Sequence, residues 1–446
     1  MQLKKLIVKN FKSIRDCEIE LGKLNVLIGA NASGKTNLIE VFKLLRKIYV
    51  EKDTNPFLEW WGYNNVVWGG KEELPITIGM LFDVNGYEVY FETTFTGTGG
   101  SFRILKEQLE IKDYVKIEKE GTRLRIFHDP GFVSLALSKL NGTPEKEFFV
   151  YKQFVNMLPQ RLYSIMKDLP IPFQEKSLLS WPWRASAIYD SNFEIAYTVI
   201  ELAEKHQDTE NSIPVLSPII RKNEYRNPLV WEIGYILHRV LLNTLILSPP
   251  CVRSVKKELK FPRKESALAE DASNLVPVLY NIWLREGKLP AEISEPLSIA
   301  FPNTRIFFQL TEDGRVMMKV FEGELELAPP GISDGFYKTL AILTAAYLKP
   351  SLLVIDEVEN SLHPETLELL FDTLRESESQ VIITTHSPVV VDMTDPADVI
   401  FVEKVGGETR FKRIPDPEEI KRLLREKGLA FSEGWLYGEI FNENNR

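Results

Sequence analysis

The stretch Gly29 to Thr36, reading GANASGKT, constrains this chain more than any other. It has glycine, four residues, glycine, lysine and a hydroxyl residue, the spacing of a phosphate-binding loop. The run Leu24 to Ile28 before it reads as a buried strand. After it, Thr36 to Val50 places Leu38, Ile39, Phe42, Leu45 and Ile48 at helical spacing. In a strand, glycine loop and helix, the loop amides and the helix N-terminus point at one spot. Unsatisfied N–H groups and aligned peptide dipoles there favour a polyphosphate. Gly29, Asn31, Ser33, Gly34, Lys35, Thr36 and Asn37 are expected around it. Lys35 would reach the β and γ phosphates of a nucleotide, and Thr36 would offer its hydroxyl to Mg2+.

At 446 residues the chain exceeds what one hydrophobic core supports, so two or three lobes are expected. The N-terminus, MQLKKLIVKNFKSI, is basic and alternates like a strand, and it lacks the pattern of a signal peptide. No run of about 18 apolar residues occurs, so no membrane span is expected. Cys17 and Cys251 are the only cysteines, too few for a disulfide framework or a paired zinc site, and a cytoplasmic location is the default expectation. A formal net charge of −9 keeps the body of the protein from attracting DNA, so nucleic-acid contact would need a local basic patch. One run, Arg253 to Lys264, carries Arg253, Lys256, Lys257, Lys260, Arg263 and Lys264 against Glu258 alone, and it reads equally well as a solvated charged face.

Along the chain, Lys4 to Val8 and Leu24 to Ile28 read as strands. Ile76 to Ile78, Tyr87 to Thr93, Leu109 to Ile117 and Arg123 to Phe127 alternate as antiparallel strands, with Asn85-Gly86 and Gly97 to Gly100 as turns. Residues 131–243 read as a helical insertion. A second sheet-like region begins near Leu245, and Arg305 to Leu310 with Arg315 to Phe321 forms a hairpin around Glu312-Asp313-Gly314. Then follow a helix over Ser333 to Leu348, a buried strand Ser351 to Ile355, an amphipathic helix Pro364 to Glu376 and a buried strand Val381 to Thr384. That alternation implies a parallel sheet. The division expected is 1–130, 131–243 and 244–446, with a charged tail from Pro415 that is helix-like to Lys427.

Three further motifs sit on these elements. Leu352 to Ile355 ends in Asp356-Glu357, at the strand edge where open parallel sheets bind ligands. Asp356 can hold magnesium there, and Glu357 can orient or deprotonate an attacking water. Val381 to Thr385 ends in His386-Ser387-Pro388, about thirty residues on with one helix between, the spacing of adjacent parallel strands. Gly331-Ile332-Ser333-Asp334-Gly335 stands directly before an apolar helix, so Ser333 and Gly335 form either a helix cap or a second anion site.

Together, NFKSI, GANASGKTN, GISDGFYKTL, LLVIDEVENSLHP and IITTHSP resemble the ABC-type ATPase heads, in the branch of RecF, the structural-maintenance-of-chromosomes proteins and the OLD-like ATPases. EDASNLVPVLYNI resembles a helix of that branch's smaller predicted AAA-type ATPases. The resemblance covers roughly the first fifty residues and most of 245–400. It implies an α/β P-loop NTPase fold with a mixed central sheet, an antiparallel β subdomain and the helical insertion. It also implies an ATP-sandwiched homodimer in which Ser333, Asp334 and Gly335 form the signature that meets ATP on the opposite protomer. In the family's terms Glu357 is the catalytic base, Asp356 the magnesium-side acid, His386 the switch histidine, and Glu359 to Pro364 the loop linking two sites; Phe11 to Ser13 lie near the base or ribose. Asp334 departs from the usual first glycine of the signature. Gln108 and Gln153 are the only candidates for the family's glutamine loop. No zinc-hook cysteine pair or long coiled coil is seen, so a chromosome-scale tether is not expected, and no Toprim-like acidic cluster is seen, so no nuclease is expected in this chain.

Two functions stay open at this point. One is an ATP-driven dimer acting on DNA repair or anti-phage defence. The other is a nucleotide-gated scaffold or sensor controlling a separately encoded effector protein without binding DNA. A kinase or other P-loop motor would leave Gly331 to Gly335 and His386 unexplained.

Overall fold

The computed structural model describes residues 2–84, 86–112, 115–120, 123–128, 171–172, 243–248, 255, 260–262 and 267–437. The strands in chain order are β1 (Gln2–Phe11), β2 (Ile14–Glu20), β3 (Leu24–Ile28), β4 (Ile76–Val84), β5 (Tyr87–Thr96), β6 (Arg103–Ile111), β7 (Val115–Glu120), β8 (Arg123–His128), β9 (Ile171–Pro172), β10 (Thr244–Leu247), β11 (Thr304–Leu310), β12 (Val316–Glu322), β13 (Leu325–Leu327), β14 (Leu352–Ile355), β15 (Gln380–Thr385), β16 (Val399–Val405) and β17 (Glu408–Arg413). The helices are α1 (Lys35–Tyr49), α2 (Leu275–Glu286), α3 (Ala291–Ala300), α4 (Asp334–Tyr347), α5 (Pro364–Glu376), α6 (Pro388–Met393), α7 (Pro417–Lys427) and α8 (Phe431–Leu436). The backbone divides into two compact units, Leu3–Lys12 with Leu44–Leu242, and Ser13–Lys43 with Asn243–Arg446.

The second unit is built on a six-stranded sheet of order β10-β14-β15-β3-β16-β17. The first five strands are parallel and β17 is antiparallel to β16. Every residue of β3, β14 and β15 is buried, as parallel strands covered on both faces require, which is why they read as unbroken apolar runs. Alternate side chains go to opposite faces. Val26, Leu353 and Ile383 join the core with Leu340 and Leu343 of α4 and Leu370 and Phe371 of α5, while Leu27, Val354 and Ile382 are fully buried on the other face. Helix α5 keeps the spacing read from sequence, with Leu367, Leu370, Phe371 and Leu374 inward and Pro364 in its first turn.

Register brings the strand ends to one edge. Thr385 pairs with Ile28, Ile355 with Ile383 and Leu247 with Ile355. The chain segments after β3, β14, β15 and β10 therefore leave the sheet side by side. Strands β14 and β15 are neighbours with α5 between them, as their spacing implied.

Two parts of this sheet go beyond the sequence reading. Strand β10 joins the parallel sheet as its edge strand, beside β14. The hairpin β16–β17 turns at Gly406-Gly407, whose φ values of 60° and 86° are those of a two-residue primed turn. The small sheet β11-β12-β13 contributes Met318 and Val320 to the core, and its first hairpin is the one expected around Glu312 to Gly314.

In the first unit the strands run β1-β4-β5-β6-β7-β8-β9, antiparallel from β4 onward. The β4–β5 hairpin joins Val84 to Tyr87, and Asp83 Oδ1 accepts from Gly86 N at 3.0 Å. Leu109 to Ile117 is not one strand. The chain turns between Ile111 and Val115, which pair with each other; the run reads as one strand because the apolar residues on both sides of Asp113 fall in the same phase. Residues 131–243, read as a helical insertion, lie outside the described residues except 171–172 and 243. Of the basic run 253–264 only 255 and 260–262 are described. Among the described residues no helix is long and apolar enough to cross a membrane.

Candidate functional site

The site grows from the ends of β3, β14 and β15. After Ile28 the chain closes into the glycine loop, where Ala32 and Gly34 have φ of +61° and +107°. Lys35 opens α1 and folds back over the loop: its Nζ donates to Gly29 O at 2.8 Å and Ala30 O at 3.1 Å. Burial pushes the Lys35 ammonium below the usual lysine range, while the nearby Glu359, Asp356 and Glu357 push it back up. Asn31 and Thr36 are exposed; Ser33 is buried, and its Oγ has no partner within the protein. The Asn37 side-chain amide donates to Ser13 Oγ at 2.5 Å.

The acidic turn follows β14. Asp356 N donates to Leu247 O at 2.9 Å, tying the turn to β10. Thr384 Oγ1 donates to Asp356 Oδ1 at 2.5 Å and accepts from Glu357 N at 2.9 Å, so one hydroxyl orients both acids. Burial raises the Asp356 carboxyl above the usual range, and adjacent Glu357 adds to this against the Thr384 bond and the charges of Lys43 and Lys35. Glu357 sits at φ +47°, a left-handed conformation costing about 1–2 kcal/mol outside glycine. Several bonds hold it there. Lys338 Nζ donates to Glu357 O at 2.6 Å, and Asn360 Nδ2 donates to Glu357 Oε2 at 2.6 Å. At roughly 0.5–1.5 kcal/mol each, with more for charged partners, they outweigh the strain and fix the carboxylate's direction.

His386 follows β15. Its backbone N donates to Glu359 Oε1 at 2.9 Å, and its Nδ1 lies 2.9 Å from the same oxygen. A carboxylate there favours the proton on Nδ1 and leaves Nε2 for a ligand. The other oxygen, Glu359 Oε2, is buried without a partner. Two buried polar atoms left over, Ser33 Oγ and Glu359 Oε2, are what a site completed by a polar ligand leaves in the protein alone. The donor set also suits magnesium: Thr36 is exposed and Asp356 is oriented. Among the described residues no cluster of three or more His, Cys, Asp or Glu forms a dedicated metal cage. Magnesium is typically held by one or two protein ligands plus phosphates and water.

Ser333 caps α4, its hydroxyl accepting from Phe336 N at 3.1 Å, and both Ser333 and Asp334 are exposed. A Cβ on Gly335 would stand 2.6 Å from Ser361 O, so the start of α4 packs directly on the loop that follows Glu357. Phe11 is fully buried and paired with Val67, so it offers no face to a base or ribose. Gln108 lies in β6 and donates to Glu110, and Gln153 lies outside the described residues.

Sequence reasoning missed Thr384 and Lys338, and it gave Asn360 no role beyond its place in the loop Glu359 to Pro364. Of these only Lys338 carries a local signal, a lone cation in the otherwise apolar helix FYKTLAILTAAY. Burial pushes its ammonium down to about 8 against the pull of Glu359, Glu357 and Asp356. A lysine depressed in the folded state costs stability wherever it is charged. The cost is full below about 8 and fades as pH rises toward its unfolded value of 10.5, because the unfolded chain then binds more protons. Wild type is therefore expected to gain stability relative to Lys338→Met between pH 8 and 10. Urea unfolding at both ends measures it, and a difference that stays constant contradicts the assignment.

Two known families match parts of this chain. A model described as AAA ATPase domain matches residues 1–226, half of the chain and the half with the glycine loop. The chain belongs to the AAA ATPase domain family. A second model, described as AAA domain, putative AbiEii toxin, Type IV TA system, matches residues 203–392 of this ATPase, spanning Ser333, Asp356, Glu357 and His386. Among curated proteins no significant match was found. Among solved structures the ATPase is similar to an Smc head bound to the C-winged helix domain of ScpA. That match has 12% identity and a TM-score of 0.50, and covers 94% of this chain and 100% of that one. It is also similar to the SMC head domain from Thermotoga maritima, at 14% identity, TM-score 0.41 and 93% and 100% coverage. At such identities the first of these likenesses speaks to fold. The fold is α/β, that of an ABC-type P-loop ATPase head.

Proposed function

We propose that this ATPase binds ATP with Mg2+ in the loop Gly29 to Asn37 and hydrolyses it in an ATP-sandwiched homodimer. The biological setting proposed is cytoplasmic DNA repair or anti-phage defence, in the OLD-like branch of ABC-type heads. The observation that carries this reading is the gathering of Lys35, Asp356, Glu357 and His386 at one sheet edge, with buried unpaired oxygens on Ser33 and Glu359. On this reading Lys35 exchanges the Gly29 and Ala30 carbonyls for the β and γ phosphates. Glu357, fixed by Asn360, takes the proton of the attacking water, and His386, held by Glu359, faces the γ phosphate. Thr36 and Asp356 would hold magnesium, which neutralises phosphate charge when bound. The exposed Ser333 and Asp334, at the start of a 14-residue helix, meet the γ phosphate of the second copy. The description of the second family, a putative AbiEii toxin of a Type IV TA system, supports defence.

The net charge of −9 favours the second reading, a nucleotide-gated scaffold acting through a separate effector. Duplex-DNA titrations over a salt series separate the two. The DNA reading expects affinity to fall steeply with salt, the slope dropping by about one for each of Lys256, Lys257 and Lys260 neutralised. No binding at low salt selects the scaffold.

A further inference from the structure

The hairpin β16–β17 bears on the glycine loop through one side chain. Thr409, fully buried, has its Oγ1 2.8 Å from Ser33 O and 2.7 Å from Ser13 Oγ, and its backbone N donates to Ser13 O at 2.7 Å. A carbonyl only accepts, so the single Thr409 hydroxyl proton goes to Ser33 O. Ser13 must then donate to Thr409 Oγ1, and Asn37 Nδ2 donates to Ser13 Oγ. The result is a one-way chain of bonds from Asn37, just after the loop, through Ser13 and Thr409, back to Ser33 within it. The contact is close: a Cβ placed on Gly34 would run into Thr409 Oγ1.

In a planar trans peptide the C=O and N–H point in opposite directions. Holding Ser33 O against Thr409 therefore turns the Gly34 N–H away from the hairpin. At φ +107° and without a Cβ, Gly34 has the freedom to flip that peptide, which would present a carbonyl in place of a donor.

We propose that Thr409 is a positioning residue for the phosphate loop, fixing the Ser33–Gly34 peptide so that the Gly34 N–H is aimed at bound phosphate. The proposal rests on the reading of this loop as the ATP site. Thr409 comes from the far end of the chain, and its side chain hydrogen-bonds to the Ser33 carbonyl and to Ser13 Oγ.

Thr409→Val keeps the shape and removes the hydroxyl, whereas Thr409→Ser keeps the hydroxyl. Calorimetric titration with a slowly hydrolysed ATP analogue is expected to show Kd raised at least tenfold for Thr409→Val and within threefold of wild type for Thr409→Ser. The kcat at saturating ATP should stay within threefold for both. Ser13→Ala, which removes the donor to Thr409 together with the acceptor of Asn37 Nδ2, is expected to give an intermediate Kd, and it carries the test if Thr409→Val does not fold. A wild-type Kd in either Thr409→Val or Ser13→Ala, or a Thr409→Ser as weak as Thr409→Val, overturns the proposal. Wild type that fails to bind the analogue overturns the ATP reading itself, and the proposal with it.

Discussion

Glu357→Gln is expected to lower steady-state ATP hydrolysis by about 10²–10⁴-fold while leaving ATP binding close to wild type. The expectation comes from how little of Glu357 the change touches. Its backbone N and O stay bonded to Thr384 and Lys338, so the left-handed turn at φ +47° is kept. The amide is the same size as the carboxylate and its oxygen can still accept from Asn360 Nδ2. What disappears is the capacity to take a proton from water. A variant with unchanged turnover would show that the base lies elsewhere. Loss of binding together with turnover would show that Glu357 holds the ligand and is not a base.

Lys35→Ala is expected to weaken ATP binding by roughly 10–10²-fold, the scale of losing one or two bonds to a charged group. Three acids, Glu359, Asp356 and Glu357, stand close enough to influence Lys35, so its removal leaves a negative site facing a polyphosphate. The Gly29 and Ala30 carbonyls also lose their donor. Equilibrium titration with a fluorescent ATP analogue reads the effect. Binding within twofold of wild type would remove Lys35 from the phosphate site.

The parts of the site legible in the sequence were those carried by short runs beside a fully buried strand. Gly29 to Thr36, Asp356-Glu357 and His386 each follow such a run, and parallel pairing in register places whatever follows the strands at one edge. Residues that act through register were not legible. Thr384 orients both acids from inside β15, where alternation announces only burial, and Lys338 reaches Glu357 across the packing of a helix on a turn. The β16–β17 hairpin had a visible sign, Gly406-Gly407 between alternating runs. That its Thr409 would reach the glycine loop depends on β16 pairing with β3, far apart in sequence, as Val399 with Val26. In the first unit, the turn between Ile111 and Val115 was lost because the alternation stays in phase on both sides of it.

On the proposed function, ATP bound at Lys35 also joins two copies through Ser333. Sedimentation velocity of Glu357→Gln, with and without ATP and Mg2+, tests it most directly. A monomer is expected without nucleotide, a dimer with it, and a monomer under both conditions when Ser333→Arg is added, although that double variant still binds ATP. A Glu357→Gln protein that binds ATP and sediments as a monomer would contradict it.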